Sequence, residues 1–338
     1  MAGDAPRDLA LLPKAHLHVH LESAIRWDTL RDLAAVHGVP VPDPPAAGRA
    51  AFTSFSEFAA HNAAVRDCLR RPADFARIAA EFCADEAAQG VRYVEVTFTA
   101  AAHGHRLGSL DAPLVAVLDG LERGSQAYGI ICRIVLDHSR RRPVAWARDT
   151  LTLATRYAER GVVAIGMAGD EAYPLAPFTP VVEAAADAGL GLVHHAGEMG
   201  GAASIREALT VGRADRIGHG IRVLDDPDLV TELRRRALPL EVCPSSNVAL
   251  GLVDGIGAHP LPAMHAAGLR VTVNTDIPSV AATTLTGEYA ALRTHHGYDD
   301  AALADLARAA VDAAFAPATV RERLHREIDA WLDVTPPP

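Results

Sequence analysis

The chain has 338 residues, of which 49% are hydrophobic and 22% charged, so it is long enough for one large α/β barrel or two ordinary domains. This composition excludes a wholly disordered protein. The formal net charge is −10 and the sequence has no basic block, which argues against nucleic acid as a partner. Lys14 is the only lysine, and its position suits neither Schiff-base chemistry nor a phosphate-binding loop.

The first residues and the cysteines indicate the cellular compartment. Acidic residues occupy the positions where an export signal needs positive charge, and the apolar stretch that follows is short and interrupted. We therefore expect a cytoplasmic protein with no membrane partner. The four cysteines include no C-x-x-C pair, so we expect reduced thiols rather than disulfides or a cysteine zinc site.

Eight short β-branched runs follow one another along the chain, and a longer segment with helical spacing comes after each. They span residues 15–21, 91–99, 130–137, 162–168, 190–195, 216–219, 238–242 and 269–275. Alternation of strand and helix is typical of a parallel sheet. Eight such units predict one (β/α)8 TIM barrel that comprises residues 1–338 as a single domain.

The interval between the first two predicted strands is far longer than one crossover helix requires. We interpret residues 22–90 as a helical insertion over the active-site mouth, because loops that follow barrel strands lie at that end. Phe52, Phe55 and Phe58 are spaced three apart, which would place them close together on one helical face. They could form a lid over a pocket, bury the insertion against the barrel wall, or do both.

Histidines occur at the end of the first predicted strand. His18 and His20 are separated by one residue, so both side chains would point to the same face of a strand, here the barrel interior. His16 shares this alternation, and the spacing does not decide which pair would bind a metal ion. Three alternating histidines where barrels bury Val, Ile and Leu favour a metal site over core packing.

Other predicted strands also end in metal-binding residue types. Strand five ends in the run from His194 and His195 to Glu198, strand six ends at His219, and strand eight ends in a run that reaches Asp276. Histidines and a carboxylate from separate strand ends, without cysteine, are typical of a catalytic zinc site with an open position for water. One Zn²⁺ would lower the pKa of that water to roughly 7, although iron, cobalt or manganese could bind the same ligands.

The motifs resemble those of the adenosine and adenine deaminases, zinc-dependent aminohydrolases of the amidohydrolase superfamily. They are LPKAHLHVHLES at 12–23, AGDE at 168–171, HAGE at 195–198, RIGHG at 216–220, CPSSN at 243–247 and VNTD at 273–276. The resemblance implies that one Zn²⁺ per chain is held by His18, His20, His195 and Asp276. His16 and His194 would be neighbours of the ligands.

The same resemblance implies roles in catalysis. Glu198 would protonate the ring nitrogen beside the carbon under attack, because addition of hydroxide to an amino-bearing ring carbon places charge on that nitrogen. His219 would orient and stabilise the hydroxide, and Asp276 would also accept a proton from the water. The backbone of Gly169 would contact the heterocycle. The segment 243–247 would shape the pocket floor or hold a ligand through hydrogen bonds.

Two known alternatives to this chemistry lack their signatures. The fourth predicted strand has no lysine, which argues against a two-metal site bridged by a carbamylated lysine. The H-x-E and P-C-x-x-C signature of cytidine-type deaminases is also missing.

Departures from the family pattern concern base recognition. Ile277 occupies the position of a second aspartate, and an unpaired purine nitrogen there would cost about 1 to 3 kcal/mol. Glu22 stands where adenosine deaminases have an aspartate that touches the ribose. We therefore expect a deaminase of an adenine-type base or nucleoside, or of another amino-heterocycle, with altered base specificity. The alternatives are a zinc hydrolase of another C–N or C–O bond and a catalytically silent binding homologue.

Overall fold

The computed structural model of the chain describes residues 6–45, 51–52 and 54–334. One parallel sheet contains eight strands, and each strand pairs with the next along the chain. The strands are β1 (Lys14–His20), β2 (Val91–Phe98), β3 (Ile131–Ser139), β4 (Val162–Ala168), β5 (Gly191–Ala196), β6 (Arg216–His219), β7 (Leu240–Val242) and β8 (Val271–Val273). The predicted (β/α)8 TIM barrel is therefore confirmed.

The first and last strands meet through the residues that follow β8. The Asp276 N–H donates to the His18 carbonyl at 2.9 Å, and the His20 N–H donates to the Asp276 carbonyl at 2.8 Å. The Asn274 side-chain oxygen accepts the N–H groups of Leu17 and His18 at 2.9 and 3.0 Å. Because an asparagine side chain replaces a backbone partner there, β8 ends earlier than predicted.

Helices connect and cover the strands. They are α1 (Trp27–His37), α2 (Phe55–Asp67), α3 (Pro72–Ala88), α4 (Ala100–Leu107), α5 (Ala112–Tyr128), α6 (Val144–Arg156), α7 (Thr179–Asp187), α8 (Ala202–Thr210), α9 (Pro227–Arg236), α10 (Pro244–Ala249), α11 (Leu261–Ala266), α12 (Pro278–Ala281), α13 (Leu285–His296), α14 (Asp300–Ala313) and α15 (Ala318–Asp333). Within the described ranges, no helix is both long enough and apolar enough to cross a membrane.

Small residues bring neighbouring helices close together. A Cβ atom added to Gly120 of α5 would lie 2.5 Å from the Ala76 carbonyl oxygen of α3, and one added to Gly124 would lie 2.4 Å from the Cys83 Cβ. Only glycine allows this approach, so the two helices pack backbone to backbone at these positions.

Helices α1, α2 and α3 fall within residues 22–90. The prediction that three phenylalanines share one helical face is wrong for Phe52, because Ser54 caps α2 by accepting the Glu57 N–H at 3.2 Å and the helix begins only at residue 55. The Phe52 ring still contacts that of Phe58, with 5.4 Å between centroids. The side chain of Phe55 lies outside the described residues.

Candidate metal centre and active site

A cavity of about 420 Å³ opens at the carboxyl ends of the strands, within the range of roughly 300 to 1,000 Å³ that is usual for small-molecule sites. Every strand-end residue that the sequence singles out as catalytic lies in its wall, together with one face of α2. The lining residues are His20, Glu22, Ser23, Phe58, Ala59, Asn62, Arg66, Thr99, Asp137, Ser139, Arg141, Arg142, Ala168, Gly169, His195, Glu198, His219, Leu250, Asp276 and Ile277.

Four histidines and an aspartate converge at the cavity floor. Donor atoms of His18, His20 and His195 all lie within 4.8 Å of one another, and so do those of His18, His219 and Asp276. The Asp276 Oδ1 atom is 3.5 Å from His18 Nε2 and 3.3 Å from His20 Nε2. The barrel thus brings together donors from β1, β5 and β6 and from the segment after β8, and geometry alone does not separate His219 from the other four.

His18 is held in place from behind. Its Nδ1 atom lies 2.8 Å from Glu241 Oε2, while its Nε2 atom is buried and has no hydrogen-bond partner among the described residues. Glu241 in turn accepts the Arg216 Nε–H at 2.6 Å. A carboxylate behind a histidine fixes the ring and makes the opposite nitrogen a better metal ligand.

The residue pair Asp276 and Ser246 connects the cluster to α10. The Ser246 hydroxyl donates to Asp276 Oδ2 at 2.6 Å, so Oδ1 remains directed at the histidines. Both His219 and Asp276 have left-handed backbone angles, φ of 67° and 59°. Such angles cost about 1 to 2 kcal/mol in a non-glycine residue and persist where surrounding structure imposes them. Segment 243–247 thus holds a candidate ligand, as the sequence indicates.

Electrostatics at the floor suit a cation. Burial lowers the pKa of His195 well below its ordinary value and that of His219 to about 4, so both rings are neutral. Burial acts in the same direction on His18, but its close contacts with the Asp276 and Glu241 carboxylates outweigh burial and raise its pKa to about 10. The two carboxylates thus make a positive charge at His18 Nε2 favourable.

The residues fit a zinc ion. Buried nitrogens of His18 and His219 lack partners within the described ranges, and imidazole nitrogens with one carboxylate are a donor set that zinc accepts. A buried polar atom without a partner is unfavourable in an isolated protein, and a bound ion would remove that penalty.

Glu198 lies beside the cluster at the start of the loop after β5. Its Oε1 atom is 3.7 Å from His219 Nε2 and has no hydrogen-bond partner in the described chain. Burial is the main reason why the Glu198 pKa lies well above its ordinary value, and the charges of Asp276 and Glu171 add to this effect. The raised pKa favours the protonated form of the side chain.

Glu171 holds the loop that carries Glu198. Its two carboxylate oxygens accept the backbone N–H groups of Gly197, Glu198 and Met199 at 2.7, 2.9 and 2.9 Å. The Ser204 hydroxyl also donates to it. One carboxylate thus fixes three consecutive peptides, which restricts where the Glu198 side chain can lie.

The three residues predicted to bind substrate all line the cavity. Glu22 accepts hydrogen bonds from the His103 ring at 3.1 Å and the Thr99 N–H at 3.2 Å. Gly169 has φ of 85°, and a Cβ atom there would lie 2.9 Å from Ser139 Oγ. Ile277 is buried beside Asp276 and presents only aliphatic atoms to the cavity.

Two further histidines of the motifs lie outside the cluster. His16 Nδ1 is 2.8 Å from Glu86 Oε2 of α3, and its Nε2 accepts the Thr275 N–H. The register of β1 against β2 shifts between His16 and Val19, so the expected alternation does not hold for His16. His194 contacts the Gly212 carbonyl through Nε2 at 2.8 Å.

Sequence reasoning missed three acidic residues at this site: Asp137, Glu171 and Glu241. A signal existed for two of them, because Asp137 ends a predicted strand and Glu171 belongs to the AGDE motif. Glu241 is an acidic residue between apolar ones in a short strand, LEV, and such an isolated charge in a buried strand could have been noted. Asp137 Oδ2 lies 3.9 Å from His20 Nδ1, and burial raises the Asp137 pKa.

Known proteins are similar to this chain in both sequence and fold. The family model described as adenosine deaminase matches residues 13–331. An aminodeoxyfutalosine deaminase of Streptomyces coelicolor is 37% identical over 97% of this chain and 89% of its own length, and an adenine deaminase of Sinorhizobium medicae is 35% identical over 93% and 98%. The crystal structure of an adenine deaminase from Arthrobacter aurescens matches with a TM-score of 0.87 at 29% identity, covering 96% of this chain and 100% of that one.

Proposed function

The chain belongs to the adenosine deaminase family and is a hydrolase that deaminates an adenine-type compound; from this premise we propose that it is a zinc-dependent aminohydrolase with altered base specificity. The observation that carries the proposal is the cluster of His18, His20, His195, His219 and Asp276 on the floor of a cavity, with Glu198 beside it.

His18, His20, His195 and Asp276 would hold the ion. When bound, Zn²⁺ supplies a water that is acidic enough to act as a nucleophile at neutral pH. Glu241 supports this arrangement by holding His18 Nδ1, and Ser246 does so by holding Asp276 Oδ2.

Glu198 would act as the general acid. Because burial raises the pKa of its carboxyl group and favours the protonated form, it can donate a proton to the ring nitrogen next to the amino-bearing carbon when a substrate fills the cavity. The ring loses aromaticity in this step, so the proton removes negative charge that would otherwise collect on the nitrogen. The amino group then takes the proton that the attacking water gave up and leaves as ammonia, while the new hydroxyl group returns its proton to Glu198 and the carbon becomes a carbonyl.

Asp276 and His219 would handle the water. Asp276 is ionised, and its free Oδ1 can accept the proton that the attacking water loses. His219 is neutral and has two nitrogens without partners in the described residues, so it can orient the water by hydrogen bonding. Gly169 lines the cavity and has no side chain of its own, so a flat ring could approach its backbone.

The wall around the base supports altered specificity. Ile277 offers no hydrogen bond to a ring nitrogen, and a purine atom that lost its partner there would bind less well by about 1 to 3 kcal/mol. Glu22 already accepts two hydrogen bonds from the protein, so less of its capacity remains for a sugar hydroxyl. Phe58 and Asn62 of α2 would cover a bound compound, which makes α2 part of a lid.

The test measures ammonia release from adenine, adenosine, 2′-deoxyadenosine and substituted adenosines, with the metal content of the same protein determined by plasma mass spectrometry. We expect about one zinc per chain and activity on a substituted compound in preference to adenosine. Glu198→Gln should lower the rate about 10²- to 10⁴-fold. Absence of bound metal, or full activity in that variant, would contradict the mechanism, and ordinary efficiency on adenosine would contradict the altered specificity.

A further inference from the structure

Three arginines line the cavity away from the histidine cluster. Arg66 lies in the last turn of α2, and Arg141 and Arg142 lie in the loop between β3 and α6. Among the described residues, no carboxylate forms an ion pair with any of the three. The guanidinium group of Arg142 lies over the Trp146 ring, and its central carbon is 5.1 Å from the ring centroid.

These arginines are near one another. Burial lowers the pKa of Arg142, and the positive charges of Arg66 and Arg141 lower it further. The charge of Asp137 acts on Arg142 in the opposite direction but offsets these effects only in part. The three like charges on one cavity therefore repel one another, and a bound anion would relieve that repulsion. Most ion-paired arginines of this acidic protein lie on the surface, for example Arg308 with Asp305.

A second cavity of about 310 Å³ adjoins the first. Arg66 and Arg142 line both cavities, and the second is also lined by Arg106, His105 and Trp146. The rings of His105 and Trp146 are stacked with 4.0 Å between centroids. None of the candidate metal ligands lines this second cavity. The two arginines therefore stand between the catalytic cavity and a groove with cationic and aromatic walls.

From this arrangement we propose that the substrate is an adenine compound with an anionic substituent, a phosphate or a carboxylate, which Arg66 and Arg142 bind with Arg141 at the rim. The proposal rests on the proposed function and deepens it by naming the substrate class. Guanidinium groups pair with either anion through two parallel hydrogen bonds, so the shared chemistry is that of a planar or tetrahedral oxyanion.

The charge distribution also fixes the orientation of such a compound. Glu22, Asp137, Glu198 and Asp276 all line the catalytic cavity, so an anion is repelled from its floor. The amino-bearing ring can therefore approach the histidine cluster only if the anionic group points outward to the arginines. A neutral adenine or adenosine would place no negative charge beside the arginines.

The experiment compares anionic and neutral compounds on the metal-containing protein. Deamination is measured for adenosine, adenosine 5′-monophosphate and adenosine 5′-carboxylate, and binding of inosine and inosine 5′-monophosphate is measured by calorimetry. We expect the anionic compounds to have kcat/KM values at least about tenfold above that of adenosine, and inosine 5′-monophosphate to bind more tightly than inosine. Whichever of adenosine 5′-monophosphate and adenosine 5′-carboxylate has the higher kcat/KM identifies the anion that the arginines bind.

Arg66→Gln and Arg142→Gln should each remove most of that preference, about tenfold or more per arginine. Arg148→Gln is the matched control, because Arg148 is an exposed arginine of α6 that lines neither cavity. A phosphate that bound the metal ion instead would keep its affinity in the two variants, which would overturn the inference.

The binding arm separates the two proposals. If the protein deaminates adenosine and the anionic compounds equally, the zinc-dependent deaminase mechanism stands and the inference is wrong. If inosine 5′-monophosphate binds tightly through Arg66 and Arg142 but no compound is deaminated, the anion site stands and the proposed function is wrong. Equal binding of the neutral and anionic products overturns the inference whatever the activity.

Discussion

Two buried polar regions lie within the same barrel, and they differ in whether their groups have partners. Inside the barrel, Arg216 donates to Glu241 at 2.6 Å, to Glu95 at 2.5 Å and to the Ala313 carbonyl at 2.9 Å. At the mouth, Glu198 and His219 are equally buried, yet atoms of both lack partners within the described residues. The groups of the first region are paired within the chain, whereas the second region has unpaired groups that a metal ion and a substrate could satisfy.

This difference separates groups that hold the fold from groups that are available for chemistry. A fully paired buried network stabilises one arrangement of the strands that carry it. Unpaired buried groups are unfavourable to folding, so their presence in a cavity indicates a ligand rather than a structural role. Glu241 belongs to both regions, since one carboxylate oxygen binds Arg216 and the other lies against His18.

The largest effect is expected where the paired network is broken. Arg216→Met leaves Glu95 and Glu241 buried without their cation, which should lower the free energy of unfolding by about 3 to 5 kcal/mol in urea titrations. Arg308→Met is the control, because Arg308 is also paired with carboxylates but is more exposed, and it should lose about 1 kcal/mol at most. Equal losses in the two variants would remove the distinction between the regions.

Glu288 is a buried carboxyl that faces neither region, and it should affect stability through pH. Its Oε1 atom has no partner in the described residues, and burial raises its pKa from 4.5 to about 7, against a hydrogen bond from Ser245. The folded protein therefore keeps a proton that the unfolded chain releases between pH 4.5 and 7, so stability falls as pH rises through that window.

The loss corresponds to about 3 kcal/mol. Glu288→Gln should remove this dependence, and unfolding titrations of both proteins at pH 4.5 and pH 8 would show it. A constant difference in stability at the two pH values would mean that Glu288 is ionised in the folded protein.

A smaller effect is expected where the two regions meet. Glu241→Gln weakens the support behind His18 and should lower zinc affinity about 10- to 100-fold, measured by competition with a chromophoric chelator. Glu95→Gln removes a carboxylate from the same arginine but does not touch His18, so it should lower stability and leave zinc affinity unchanged. A similar loss of affinity in both variants would mean that the network acts only through the fold.

The smallest effect on stability is expected at the unpaired mouth. Because the raised pKa of Glu198 favours its protonated form, Glu198→Gln replaces one neutral polar group by another of similar size. Its free energy of unfolding should stay within about 0.5 kcal/mol of the parent protein, although deamination falls. A loss comparable with that of Arg216→Met would assign Glu198 to the fold.

Much of the fold follows from local patterns in the sequence. Each of the eight predicted strands overlaps an observed one, since a buried parallel strand is a short β-branched run that can be recognised by itself. The ends of strands depend on partners far along the chain. β8 ends at Val273 because Asn274 turns its side chain to β1, and residue type alone does not predict this contact.

The candidate site divides in the same way. His18, His20, His195 and Asp276 could be named because their motifs, which lie at strand ends, resemble those of the adenosine and adenine deaminases. The shift of register that turns His16 toward Glu86 depends on how β1 pairs with β2. The spacing of the histidines in the sequence does not indicate this shift. The charge cluster of Arg66 and Arg142 joins α2 to the loop after β3, so it exists only once both elements are in place.

The backbone pairing of Asp276 with β1 bears on the order in which the strands assemble during folding. Asp276 and Asn274 both form hydrogen bonds with His18, and Asn274 is 256 residues away from His18 along the chain. Closing so long a loop costs much entropy, so we expect these contacts to form among the late steps of assembly. The same closure brings the Asp276 carboxylate to the histidines of β1. A chain with seven strands in place would therefore be compact but inactive, and recovery of activity on refolding would report the docking of the final strand.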